Sequence, residues 1–211
     1  MGILGGTFDP PHIGHLLVAR AVGEALALDS VVLMVAGDPW QKTDLGEITP
    51  AEDRLAMVRA TVLDGTVSAT SAGNAAGTTT AQTSLEVSDL ELRRGGRTYT
   101  VDTLEQLRAE DPDRELFLIL GADAAAGLDT WHRHDELSGL CQLAVVERPG
   151  SPVEVAGEVE HLLVEAPLVD ISSSELRKMV ARGESVEGLV TPGAISVIEE
   201  RGLYAGGDDG Y

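Results

Sequence analysis

His12 and His15 stand three residues apart and flank Gly14, at the end of the run Gly5-Gly6-Thr7-Phe8-Asp9-Pro10-Pro11-His12-Ile13-Gly14-His15. Two imidazoles at this spacing can face one ligand, and the glycine leaves no side chain in the way. Glycines also let a backbone approach an anion closely, and the free N–H groups of a helix start attract one. The chemistry this suggests is phosphate binding and stabilisation of phosphate charge. A metal pair is the rival reading, but no third His or Cys lies near in sequence and the spacing is not of the zinc type. The run does not read G-x-G-x-x-G, so it is not a dinucleotide-binding fingerprint.

The elements around the run suit that chemistry. The apolar stub Gly2-Ile3-Leu4 precedes it and an amphipathic pattern, Leu16 to Leu28, follows, giving strand, glycine-rich turn and helix. Farther on, apolar runs alternate with helical patterns, which predicts an α/β fold with a mostly parallel sheet flanked by helices on both faces. Strands are expected at 2–6, 31–36, 85–91, 115–120, 142–147 and 162–164, and helices at 15–27, 50–62, 100–110, 173–182 and 192–201. Thr49-Pro50-Ala51-Glu52 reads as a capped helix start with a capping box, and Thr191-Pro192 as a second start without the box. Residues 66–84 are rich in Ala, Gly, Ser and Thr and read as a loop insertion. Residues 205–211 read as a frayed tail, leaving 1–204 as one domain.

Composition limits the partners. The 211-residue chain carries a formal net charge of −20 and only two lysines, Lys42 and Lys178. So acidic a surface argues against nucleic acid or an anionic membrane. A phosphate site in this chain must be built from backbone N–H groups, histidines and a few chosen cations. Cys141 is the single cysteine, set among apolar residues, and is expected to be a buried thiol. The chain opens directly into a strand-like run rather than a signal peptide, and no run is long enough to span a membrane, so a cytoplasmic protein is expected. A homo-oligomer is compatible with a domain of this size.

A second candidate phosphate element lies near the other end. In Ile171-Ser172-Ser173-Ser174-Glu175-Leu176-Arg177, Ser172 can cap a helix with Glu175 as its box partner. The N–H groups of Ser173 and Ser174 then open at the helix start, and Arg177 adds a forked cation one turn on. An ordinary capped helix would look the same. Three further groups sit where parallel strands end, the place where ligand crevices form in open α/β sheets. They are Lys42, in Pro39-Trp40-Gln41-Lys42; Asp123, in Gly121-Ala122-Asp123; and Trp131, in Trp131-His132-Arg133. Trp131 could stack on a flat ring or simply fill the core. Thr98-Tyr99-Thr100-Val101-Asp102-Thr103-Leu104 opens the 100–110 helix, with Asp102 complementing its dipole.

Taken together, these motifs resemble the nucleotidylyltransferase superfamily, whose hallmark is (H/T)-x-G-H. The longer form GGTFDPPHxGH is similar to the bacterial nicotinate-nucleotide adenylyltransferases. The likeness covers about residues 2–204 in five ordered blocks. It implies a Rossmann-like nucleotidylyltransferase fold and transfer of the adenylyl group of ATP to nicotinate mononucleotide, giving nicotinate adenine dinucleotide and pyrophosphate. It also implies Mg²⁺ carried in with ATP, without a dedicated protein cage.

The resemblance assigns roles as well. His12, His15, Lys42 and Arg177 would carry the chemistry. Gly5, Gly6, Thr7, Phe8, Gly14, Ser172, Ser173, Ser174, Gly121 and Asp123 would bind ATP. Thr100, Trp131, His132 and Arg148 would hold the nicotinate nucleotide. Ser174 and Leu176 depart from the family's ISSTxIR, and Trp40 and Gln41 from its P-x-H-K. Phosphopantetheine adenylyltransferases share the HxGH and ISSTxIR elements but lack the TYTxDTL and GxD…W blocks. A nicotinamide nucleotide acceptor is a nearer rival, and an idle nucleotide-binding regulator is a rival of another class.

Overall fold

Val31, Leu33 and Val35 pack on one face of their strand, and Val32 and Met34 on the other. Apolar residues on both faces mark strands with helices above and below. The computed structural model describes residues 1–39, 48–71, 83–147, 155–156, 159–167 and 169–206, with the backbone alone for 66–71. Strands β1 (Gly2–Gly6), β2 (Ser30–Val35), β3 (Ser84–Ser88), β4 (Phe117–Gly121), β5 (Gln142–Glu147) and β6 (His161–Glu165) form one sheet in the order β3-β2-β1-β4-β5-β6. Every pairing in it is parallel. The strand order reverses direction between β1 and β4, so a crevice opens at their carboxyl ends.

The eight α-helices are α1 (Ile13–Ala25), α2 (Ala51–Ser71), α3 (Leu90–Arg94), α4 (Thr100–Glu110), α5 (Ala122–Ala126), α6 (Leu137–Leu140), α7 (Ser173–Ala181) and α8 (Pro192–Arg201), counted among the described residues. Leu16, Ala19 and Val22 of α1 and Leu55, Val58 and Val62 of α2 cover one sheet face. Val101, Leu104 and Leu107 of α4 cover the other, with Cys141 buried beside them as expected. A third cluster joins Met57 of α2 to Leu176 of α7 and to Ala194 and Ile198 of α8, fixing α7 beside the carboxyl end of β1. Among the described residues no helix is long and apolar enough to cross a membrane.

Several boundaries differ from the sequence reading. The strand expected over 85–91 stops at Ser88, and Leu90–Arg94 is helical. Local polar chemistry turns the chain there: Ser88 Oγ accepts the Leu90 N–H at 3.2 Å, Arg93 Nε donates to Asp89 at 2.8 Å, and Gly95 ends the turn at φ 69°. The helix expected over 50–62 runs on to Ser71, so residues 66–71 are not part of a loop insertion. Gly65 is accommodated within that helix, and no proline interrupts it. Residues 72–82 of the expected loop and 207–211 of the tail lie outside the described residues, as do Trp40, Lys42 and Arg148. The two helix starts also diverge. At Thr191-Pro192, proline takes the first position as expected, and Asp64 of α2 accepts the Gly193 N–H at 2.7 Å. At Thr49-Pro50, the Pro50 carbonyl accepts the Arg54 N–H at 3.1 Å and the helix begins at Ala51.

One side chain holds the site-facing loops together. Arg54, on α2, is 1% exposed. Its Nε donates to the Thr49 carbonyl at 2.8 Å, Nη1 to the Thr7 carbonyl at 2.8 Å and Nη2 to the Gly37 carbonyl at 3.1 Å. It thus binds the loop after β1, the loop after β2 and the start of its own helix. Arg54→Ala would leave these carbonyls unpaired beside a cavity and is expected to cost about 3 kcal/mol of stability or more. Urea denaturation of the variant beside the parent checks this.

Candidate active site

The histidine run folds as the strand–turn–helix order requires. β1 ends at Gly6, the chain turns through Thr7 to Pro11 with a cis peptide between Asp9 and Pro10, and His12 caps α1. The His12 N–H donates to His15 Nδ1 at 3.1 Å. An acceptor at Nδ1 places the neutral ring's proton on Nε2, so His15 is fixed in one tautomer. The two rings lie against each other at a tilt of 30°, with centroids 3.8 Å apart. Burial pushes the His12 imidazole down to about 4. It is therefore neutral at pH 7 in the ligand-free site.

Glycines are needed here for space. A Cβ on Gly14 would stand 2.9 Å from His12 Nδ1, and one on Gly6 would stand 2.8 Å from the Phe8 ring. Gly5 faces open space and lines the cleft. Phe8 turns its ring away from the cleft. Its side chain is 2% exposed and packs edge-on to His15 at a centroid distance of 4.9 Å, so any ligand contact it makes runs through its backbone. Thr7 is likewise buried, with its carbonyl held by Arg54.

The second motif meets the first. Ser172 caps α7, its Oγ accepting the Glu175 N–H at 3.2 Å as expected. The Ser173 hydroxyl donates to the Pro10 carbonyl at 2.9 Å, and Arg177 Nη1 donates to the Asp9 carbonyl at 2.7 Å. Arg177 Nη2 reaches Ser174 Oγ at 3.3 Å. The start of α7 is thereby sewn onto the turn that carries the histidines. Asp9 anchors this seam from beneath: it is 4% exposed, takes the Tyr204 hydroxyl at 2.6 Å and the Thr49 N–H at 3.2 Å. Burial, and then the neighbouring Asp9 carboxylate, hold the Tyr204 phenol above its ordinary range. Arg177 Nε is buried without a hydrogen-bond partner among the described residues.

Beside the histidine turn lies a cleft of about 300 Å³ at the carboxyl ends of β1, β2 and β4. Thr100, Trp131, His132 and Gly121 line it together with Gly5 and Tyr99. Trp131 is half-buried against the core, so it both packs and faces the cleft. Asp123 is exposed in the first turn of α5 and does not line the cleft. Apart from Asp123, the expected site residues that are described gather in two adjoining places: the histidine–serine–arginine seam and the Thr100–Trp131 cleft. Among the described residues, no group of three or more His, Cys, Asp or Glu is placed to hold a metal ion.

The sequence matches the cytidylyltransferase-like family over residues 3–179. Curated relatives named probable nicotinate-nucleotide adenylyltransferase include one from Saccharopolyspora erythraea, 42% identical over 99% of this chain and 91% of that protein. Another, from Streptomyces coelicolor, is 42% identical over 96% of this chain and 100% of that protein. The chain belongs to the nicotinate-nucleotide adenylyltransferases of the cytidylyltransferase-like family. Among solved structures, a Plasmodium falciparum nicotinic acid mononucleotide adenylyltransferase complexed with NaAD superposes with a TM-score of 0.71. It is 18% identical over 96% of each chain, and it supports the Rossmann-like nucleotidylyltransferase fold.

Two features of the site had no signal in the sequence. Thr98 Oγ1 accepts the N–H groups of Gly37 and Asp38, each at 3.1 Å, tying the loop after β2 to the start of α4. Glu91 is 6% exposed, lines the cleft and accepts the Thr103 hydroxyl at 2.7 Å, while Thr103 in turn accepts from Arg94 at 3.0 Å. Burial pushes the Glu91 carboxyl up to about 7, against the Thr103 hydrogen bond and the Arg94 charge. A carboxyl raised in the folded state supplies stability at low pH that is lost as pH rises through about 7. Glu91→Gln is expected to remove that loss. The parent should lose up to about 3 kcal/mol more than the variant between pH 5 and pH 8, read from urea midpoints at the two pH values.

Proposed function

We propose that the chain transfers the adenylyl group of ATP to nicotinate mononucleotide, releasing pyrophosphate and forming nicotinate adenine dinucleotide. The single observation that carries the assignment of roles is the seam of His12, His15, Ser173, Ser174 and Arg177. There the turn leading into α1 and the start of α7 are held together by the Ser173–Pro10 and Arg177–Asp9 hydrogen bonds. Two helix starts brought together beside a guanidinium suit a polyphosphate.

A 5′-phosphate oxygen of the acceptor attacks the α-phosphorus of ATP in line. The bond from that phosphorus to the bridging oxygen of the β-phosphate breaks, and pyrophosphate leaves with the electron pair. The nucleophile is already an anion, so no general base is needed. Catalysis comes from positioning and from stabilising charge on the α-phosphoryl group and the leaving oxygens. His15, locked with its proton on Nε2, offers a directed donor, and His12 adds a second. The triphosphate's negative charge opposes the burial that keeps His12 neutral, and so favours its protonation in the complex.

Arg177, with Lys42 by family resemblance, neutralises the β- and γ-phosphates. Ser172, Ser173 and Ser174 present the helix start to the same groups. By family resemblance, Gly121 and Asp123 would bind ATP, and Thr100, Trp131, His132 and Arg148 would hold the nicotinate nucleotide. Asp9, the carboxylate within the histidine turn, is already engaged by Tyr204 and Thr49. The donor set thus suits Mg²⁺ held by ATP oxygens and water, where it would neutralise phosphate charge.

Pyrophosphate release with ATP, Mg²⁺ and nicotinate mononucleotide tests the proposal, run beside the nicotinamide form. Release mainly with the nicotinate form is expected. Preference for the amide would keep the reaction and overturn the acceptor. No release with either would overturn the reaction.

A further inference from the structure

Two segments distant in sequence make the outer wall of the cleft: the start of α4, with Tyr99 and Thr100, and the turn bearing Trp131 and His132. They share no strand pairing, yet two contacts bind them. The His132 ring lies on the Tyr99 ring at a centroid distance of 4.2 Å and a tilt of 34°. Next along the chain, Arg133 spreads its guanidinium over three carboxylates. Nη1 reaches Asp102 at 3.5 Å and Glu105 at 3.2 Å, both on α4, and Nε and Nη2 reach Glu136 at 2.8 and 2.6 Å. Arg133 itself sits in the left-handed region, at φ 53° and ψ 40°, where few side-chain-bearing residues rest. This residue turns the chain from extended Trp131 into the short 3₁₀ turn His134–Glu136.

We propose that Arg133 is a positioning residue for the acceptor nucleotide: its fork clamps the Trp131–His132 turn onto α4 and so sets the width of the cleft that receives the pyridine ring. The inference rests on the acceptor reading above. Planar bidentate pairing makes the clamp directional as well as attractive, which a lysine cannot reproduce. The clamp also has an electrostatic side. Asp102, Glu105 and Glu136 would otherwise crowd beside a cleft that takes an anionic nucleotide, in a chain of net charge −20. Arg133 offsets them at that wall. The ATP side, built on α7 and the histidine turn, has no contact with this clamp among the contacts described above.

Arg133→Asn is the informative variant, because asparagine tolerates the left-handed backbone but cannot span the carboxylates. The KM for nicotinate mononucleotide is expected to rise about tenfold, with the KM for ATP within about twofold of the parent. Arg133→Lys should recover part of the loss. An unchanged acceptor KM in the asparagine variant, or an equal rise for both substrates, overturns the proposal. A second readout does not depend on turnover. In a Trp40→Phe background, acrylamide quenching of Trp131 fluorescence should increase about twofold when Arg133 becomes Asn, as the turn loosens from the core. Unaltered quenching overturns the clamp. Failure of the parent to use the nicotinate nucleotide, with quenching still raised, would overturn the acceptor assignment and leave the clamp standing.

Discussion

The buried pairing of the histidine turn with its supports is the constraint on which the rest depends. Arg54 supports that turn from α2, and Asp9 supports it from within. Arg54 spends its guanidinium on the carbonyls of Thr7, Gly37 and Thr49, and Asp9 accepts from Thr49 and Tyr204 while its carbonyl takes Arg177. Burial lowers the affinity of Arg54 for its proton, and the nearby Asp9 carboxylate opposes that shift. A charge so placed is tolerated only where its hydrogen bonds are satisfied, which fixes the loops that satisfy it. The turn, α2, α7 and the segment after α8 thus meet around one small polar core inside an apolar protein.

From that anchor follows the electrostatic character of the site. A chain this acidic cannot gather phosphate by a general positive field, so local donors must suffice. They are concentrated at two helix starts, those of α1 and α7, which the Ser173–Pro10 and Arg177–Asp9 bonds bring together. His12 is neutral without ligand, and its neighbour is held in one tautomer. The site is thereby preorganised for charge that arrives with the substrate and grows on the leaving group, which is where fixed dipoles contribute most.

The features legible in the sequence were contiguous ones. The histidine run, the Ser172 cap and the strand–helix alternation each occupy a few neighbouring residues, and each appears as expected. Hidden features depend on contacts between distant residues. Arg54 looks like any polar residue of an amphipathic helix until its carbonyl partners, from the loops after β1 and β2, close around it. Glu91 lies where an apolar run suggested strand, and its burial follows from the Ser88 turn and Thr103. Arg133 follows soon after Trp131 in sequence with nothing there to show that two of its three partners, Asp102 and Glu105, lie on α4. The inward turn of the Phe8 ring against His15 is likewise a contact that its place inside a phosphate motif does not show.

The central claim is that the histidine pair stabilises charge in the transfer step rather than holding the fold. Parallel measurement of kcat, ATP affinity and melting temperature for His15→Ala tests it most directly. A fall in kcat of about 10²–10³-fold is predicted, with ATP binding reduced far less and melting nearly unchanged. Turnover close to that of the parent, or a loss explained wholly by unfolding, would contradict it.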